Sequence, residues 1–297
     1  MWIALVLSAA AAQTARSVAQ RHLVPSIGVL PATLSRFCYG LPFSIVALVL
    51  VALFAPLPLP QANAAYVGWI TLGAVAQLAA TACLIAAMGH RSFVVVIAYS
   101  KTEILQVGIY GVVLLGEALS AATMSAIVVS TIGVLALSLK PTSGRAFAPS
   151  TWLSAGAALG LASGALYALS GVGFRGAMLA LDHPLPWVSG CYSVVWAQVI
   201  QTLLLGGWLY ARNRSGLTKM ARQWRIATVA GLMGTLASTG WMTAYAIRSA
   251  VDVSIASLVD VLYSYALSRR LYKEPVSRAE IVGIVLIVVG IGVISVR

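Results

Sequence analysis

Apolar residues fill this chain in blocks of about 20, long enough for a helix rising about 1.5 Å per residue to cross a hydrocarbon layer of about 30 Å. The blocks lie near residues 2–20, 30–54, 66–88, 93–115, 120–139, 152–173, 187–210, 226–247, 252–271 and 278–296, and each predicts a spanning helix. Between them Pro, Gly and charge collect, as in Pro56-Leu57-Pro58-Leu59-Pro60, Pro141 to Pro149, Asp182-His183-Pro184-Leu185-Pro186 and Arg212 to Arg225. The pattern predicts an all-α, polytopic membrane protein of ten transmembrane helices. The 140–150 linker divides them five to five, giving halves 1–140 and 150–297. An odd number of crossings per half inserts the second half upside down relative to the first.

The pattern is also written twice. Shifted by 157 positions, Arg91 to Ser138 lies without a gap on Arg248 to Ser295. Arg91/Arg248, Ser100/Ser257, Glu117/Glu274, Ser120/Ser277 and Gly133/Gly290 are identical pairs, and Glu103 falls on Asp260. Val and Leu matches are cheap in such a chain, so the polar pairs carry the argument. Internal duplication in a membrane protein points to a carrier made of two related halves.

Composition agrees. Of 297 residues 60% are hydrophobic and 9% charged, against about 25% charged in a soluble domain. Cys38, Cys83 and Cys191 stand in apolar runs without metal or disulfide spacing. Residues Trp2 to Ala12 resemble a signal peptide but lack its basic leader, so a retained helix is expected. A formal charge of +12 in a soluble chain would suggest nucleic acid; here the cations sit mainly between spans, where they meet headgroups. Thirteen lie on one face, among them Arg21, Arg91, Lys140, Arg212, Lys219 and Arg278; Arg175, Arg248 and Arg297 lie on the other. The positive-inside rule makes the first face cytoplasmic and puts both termini outside.

Charges inside a span cost about 2.5–3.5 kcal/mol on insertion scales and need a partner, a cavity or a job. Lys101 and Glu103 lie in the middle of the fourth block, Asp260 in the middle of the ninth, and Arg36 about two turns into the second. Tyr99, Glu103, Gln106 and Tyr110 share a helix face, as do Asp260, Tyr263, Ser264 and Leu267. The first block adds Gln13, Ser17 and Gln20, and the sixth adds Tyr167 and Ser170. Trp241 and Tyr245 in the eighth are candidate aromatic walls. A central site is expected between helices three, four, eight and nine, with one and six contributing. Its candidate residues are Lys101, Glu103, Asp260, Tyr99, Gln106, Trp241, Tyr245 and Tyr263. Each has a plainer reading: an internal ion pair for Lys101, interhelical hydrogen bonds for the acids, core packing for the aromatics, a headgroup anchor for Arg36. Gly156, Gly160 and Gly164 recur every fourth residue and predict close helix packing. Glu117 and Glu274 precede spans five and ten, where a helix dipole favours an anion.

Leu114-Leu115-Gly116-Glu117-Ala118-Leu119-Ser120 running toward Gly133, its echo Lys273-Glu274-Pro275-Val276-Ser277 running toward Gly283 and Gly290, and Arg36-Phe37 together resemble EamA-type carriers of the drug/metabolite transporter superfamily. The resemblance spans nearly the whole chain. It departs where Ser189 or Gly190 stands in place of an Arg in the second half. It implies a multi-pass protein of the bacterial inner membrane, both termini cytoplasmic, exporting or exchanging a metabolite, with proton coupling as an option. On orientation it opposes the charge count.

No HExxH, G-x-S-x-G or phosphate-loop motif is present, so an enzyme is not expected, and no cofactor is implied. The expected partners are a small-molecule substrate and the lipid bilayer. One cation and two acids suit an amino-acid-like zwitterion, with Lys101 holding the negative group and Glu103 or Asp260 a positive group or a proton. Organic anions or sugar phosphates are the alternative substrates, and a flippase of lipid-linked substrates or an accessory membrane protein the alternative class.

Overall fold

The computed structural model describes residues 2–88, 96, 99–100, 102–138, 155–272 and 278–295. Regular structure in these residues is helical: α1 (Trp2–Ile27), α2 (Val29–Cys38), α3 (Leu41–Phe54), α4 (Ala64–Met88), α5 (Glu103–Leu115), α6 (Ala121–Ser138), α7 (Ala155–Leu181), α8 (Pro186–Arg212), α9 (Arg214–Arg222), α10 (Trp224–Ile247), α11 (Ala250–Ala256), α12 (Val259–Tyr272) and α13 (Arg278–Ser295). Five stretches are long and apolar enough to cross a membrane alone: Trp2–Ile27, Val29–Phe54, Ala64–Met88, Ala155–Leu181 and Pro186–Arg212. Shorter apolar helices stand beside them. Side chains such as Phe54, Val113 and Leu203 lie exposed on the outer surface, where lipid is the natural solvent.

Two blocks expected as single helices are broken. The first break, at Tyr39-Gly40, separates α2 from α3, and Pro42 in the first turn of α3 cannot donate a backbone bond. Side chains brace it: the Thr235 hydroxyl of α10 donates to Gly40 O (3.0 Å), and Gln198 Nε2 of α8 donates to Thr235 (2.9 Å). Such help is what an interrupted helix needs away from water. The second break separates α11 from α12 at Ser257-Leu258. There the N–H groups of Leu258, Asp260 and Val261 bond three residues back, at 3.1, 2.9 and 2.9 Å, a tightened turn.

The charged stretch Arg212 to Arg225, expected only as a break, holds α9. Asn213 caps it by accepting from Gly216 N–H at 3.0 Å. Met220 is buried with Leu23, Leu34 and Leu209, while Lys219 and Arg222 face outward. A short basic helix with one greasy face lies naturally in a membrane interface.

The long helices pack in reciprocal pairs, α4 along α7, α1 along α10 and α6 along α13. In the last pair glycines set the distance. A Cβ on Gly133 would meet Gly283 O at 2.9 Å and Ile287 N at 3.0 Å; one on Gly290 would run into Ser130 and approach Ala126 O at 3.4 Å. Residues 126, 130 and 133 map onto 283, 287 and 290 by the shift of 157 found in the sequence. Each helix therefore uses the same three positions against the other. Gly160 and Gly164 of the expected packing stripe lie against Tyr99 and Ser100.

Candidate functional site

Both breaks carry chemistry toward one place. Arg36 stands in the last turn of α2, and Asp260 in the first turn of α12. Glu103 stands in the first turn of α5, where Thr102 and Leu105 N–H groups bond three residues back, each at 3.2 Å. Both acids thus sit at helix N-termini, where the dipole favours a carboxylate. The two acids stand at positions 157 apart, the shift found in the sequence.

These groups line a cavity of about 60 Å³. That is several times the roughly 10–15 Å³ a cavity needs to admit one water. Its polar lining includes Gln13, Arg16, Ser17, Arg36, Gln77, Ser100, Glu103, Ser238, Ser257 and Asp260. Tyr167, Phe174, Trp241 and Tyr245 supply an aromatic side.

The acids are held by both halves of the chain. Asp260 accepts from Thr14 Oγ1 at 2.6 Å and from Gln13 Nε2 at 3.0 Å, and Gln13 Oε1 accepts from Trp241 Nε1 at 3.0 Å. That network ties α1 to α10 and α12. Ser257, whose hydroxyl donates to Ser254 O at 2.7 Å, lies 3.5 Å from Glu103 Oε1. The arginines are held more loosely. Arg36 donates to Thr81 Oγ1 at 3.1 Å, lies 3.5 Å from Ser238 Oγ, and rests over the Phe37 ring at 4.7 Å. Arg16 has one polar contact, to Ser17 Oγ at 3.5 Å, and its Nε has no hydrogen-bond partner among the described residues. Both side chains are only 2% exposed.

Of the candidates read from sequence, the structure brings Glu103, Trp241, Tyr245 and Asp260 into this lining. Tyr99, Gln106 and Tyr263 are half-buried and stand outside it. Lys101 lies outside the described residues, as does Glu274. The second span contributes through Arg36, whose burial excludes a headgroup anchor. Arg16 escaped the sequence reading. A block ending at residue 20 put it near a helix end, whereas α1 runs to Ile27 and leaves Arg16 about 21 Å from Trp2, close to the helix midpoint. Its spacing from Gln13 and Gln20, i+3 and i−4, was the available signal.

Glu117 has a different partner set. Gly116 closes α5 with φ 65°, a left-handed cap suited to glycine, and Glu117 N–H returns to Gly111 O at 3.1 Å. The cap leads the Glu117 side chain to Arg175 of α7, with Nε to Oε1 at 3.0 Å. Arg175 Nη1 also donates to Tyr245 O at 2.6 Å, at the carbonyl end of α10.

A helical membrane protein with buried charges around a central cavity has the architecture of a carrier, and one comparison decides the family. Residues 154–296 match the model of the EamA-like transporter family. These residues belong to that family. The EamA family lies in the drug/metabolite transporter superfamily, and the match together with the long apolar helices supports a multi-pass membrane transporter of that type. A solved crystal structure, described only as that of a protein, has a TM-score of 0.69 and 16% identity, covering 99% of this chain and 98% of its own. At that identity the likeness speaks for the fold alone, but it extends through both halves. No curated protein sequence matches the chain.

Proposed function

We propose that this EamA-like protein is a secondary carrier of a small polar metabolite, an amino-acid-like zwitterion first, moved by alternating access around the cavity between two inverted five-helix halves. The observation that carries the reading is one cavity, lined from both halves, that holds two buried arginines and two acids inside a lipid-facing shell. The 157-residue shift shared by the Glu103 and Asp260 turns and by the α6–α13 glycine contacts supports the inverted halves. Halves built alike can rock about a site between them and present it to each side in turn. Glu103 or Asp260 takes the substrate's positive group or a coupling proton, Trp241 and Tyr245 shape the wall, and Lys101 adds a cation to the site. The membrane is a bacterial inner membrane in this reading. A carrier of organic anions or sugar phosphates is the second reading, favoured by the pair of buried arginines.

Counterflow in proteoliposomes tests it. Purified protein preloaded with amino acids, organic acids, amines or sugar phosphates should exchange one class saturably, and Glu103→Gln or Asp260→Asn should cut exchange at least tenfold while the protein stays folded. Flux that never saturates and shows no counterflow would replace the carrier with a channel.

A further inference from the structure

We infer that Arg16, supported by Arg36, is the carboxylate-binding group of the cavity, so that the substrate enters with its anionic end toward α1 and α2. This rests on the carrier reading above and names the anion subsite of that same site.

Arg16 is the least satisfied charge in the described lining. A guanidinium offers five N–H donors in a planar fork. At 2% exposure, with one contact of 3.5 Å and an unpartnered Nε among the described residues, this fork faces the cavity with donor capacity to spare. Such a group is costly unless an acceptor comes to it. Asp260 attracts Arg16 across the cavity, but the side-chain bonds it accepts from described residues come from the neutral donors Gln13 and Thr14. Those two residues stand within one turn of Arg16 on α1. Through those bonds Asp260 also helps to fix the rotation of α1 that aims Arg16 inward. A carboxylate matches the fork with two parallel bonds, which a point-charge ammonium cannot do.

The direction of binding comes from broken symmetry. The frame is duplicated, with Ser100 against Ser257 and Glu103 against Asp260, each pair on opposite halves. The cations are not. In the described lining both arginines come from the first half, while α7 offers Ser170 and Gly171. The aromatic residues Tyr167, Phe174, Trp241 and Tyr245 come from the second half. One pole therefore recognises the anionic group, and the opposite wall meets the rest of the molecule. Since both arginines belong to one half, they can keep hold of the carboxylate as the halves rock.

The test is thermal stabilisation of the purified full-length protein by amino acids, each compared with its carboxamide, which keeps the amine and loses the anion. Wild type should be stabilised at concentrations roughly 10- to 100-fold lower by the acid than by the amide. Arg16→Gln should erase that ratio, and Arg16→Lys should restore part of it. Each variant's unliganded melting temperature and gel-filtration profile establish folding, and a variant that fails them is replaced by Arg16→Met. No preference for any acid over its amide in wild type would overturn the subsite. A preference that persists in Arg16→Gln and vanishes in Lys101→Gln would move the subsite to Lys101. Counterflow with the same ligands separates the two claims: exchange with an unchanged acid preference in Arg16→Gln sinks this inference alone, whereas binding without exchange sinks the carrier.

Discussion

Two arginines in this protein, both largely shielded from solvent, show opposite uses of one side chain. Arg175 is well partnered: an acid takes its Nε at 3.0 Å, and Tyr245 O, the last-turn carbonyl of α10, takes its Nη1 at 2.6 Å. Arg16, near the midpoint of α1, meets one hydroxyl at 3.5 Å and leaves its Nε unpartnered among the described residues. The first arrangement joins the α5–α6 connection to α7 and α10 and has little left to offer a ligand. The second stores recognition. Burial alone does not separate a structural charge from a binding one; the fraction of its donors already spent does.

The sharpest way to break this comparison is to remove each charge and read stability and binding separately. Arg175→Gln leaves Glu117 shielded without its cation and should cost about 2–4 kcal/mol, lowering the melting temperature while the substrate KM of the remaining folded protein stays near wild type. Arg16→Gln removes an under-satisfied buried charge. It should keep or raise the melting temperature by an amount worth up to about 2 kcal/mol, while KM rises roughly 10- to 100-fold. Melting curves in detergent and counterflow in vesicles read the two axes. If Arg175→Gln shifts KM and Arg16→Gln shifts only stability, the assignment is inverted.

A double-mutant cycle sharpens the structural half. Glu117→Gln and Arg175→Gln together should destabilise less than the sum of the two singles, with a coupling of about 1.5–3 kcal/mol, since the second substitution removes the charge that the first left stranded. Additive losses would mean that Arg175 works chiefly through the carbonyls of Tyr245 and Ala246.

Much of this was legible beforehand because it depends on local pattern. Block length and composition pointed to helices in a membrane, and the 157-residue shift paired Glu103 with Asp260, though not the turns that carry them. The EamA motif gave Glu117 its place beside Gly116, though not its partner, since Arg175 lies 58 residues away. Other features depend on side chains distant in sequence. The α2–α3 break was announced by Gly40 and Pro42, but its bracing comes from Thr235 and Gln198. The α11–α12 break contains neither Gly nor Pro, and a run such as Ser254-Ile255-Ala256-Ser257-Leu258 reads as continuous helix. Arg16 was hidden by a boundary: hydropathy falls after Ala12, and a helix that continues through polar residues because its neighbours satisfy them is invisible to a pattern of greasy blocks.

A scaffold change checks that stability and recognition separate here as well. Gly290→Ala pushes a methyl group into Ser130 across the α6–α13 contact and should cost about 1–3 kcal/mol, and adding Ser130→Ala should return part of it. Ligand preference for acid over amide should hold throughout, because neither residue lines the cavity.

The smallest effect expected is the most exacting for the site. Gln106 and Tyr263 belong to the same polar helix faces as Glu103 and Asp260, and on sequence alone they have equal standing as ligands. The structure turns both out of the cavity lining. Gln106 Oε1 is buried without a hydrogen-bond partner among the described residues, so Gln106→Leu removes a poorly satisfied amide and should be neutral or slightly stabilising. Tyr263→Phe deletes one hydroxyl outside the cavity. Counterflow KM should stay within about twofold of wild type for both, a change under about 0.5 kcal/mol. A tenfold rise for either would show that the working site extends along the helix faces beyond this cavity, and the distinction between spent and unspent donors would then no longer mark its boundary.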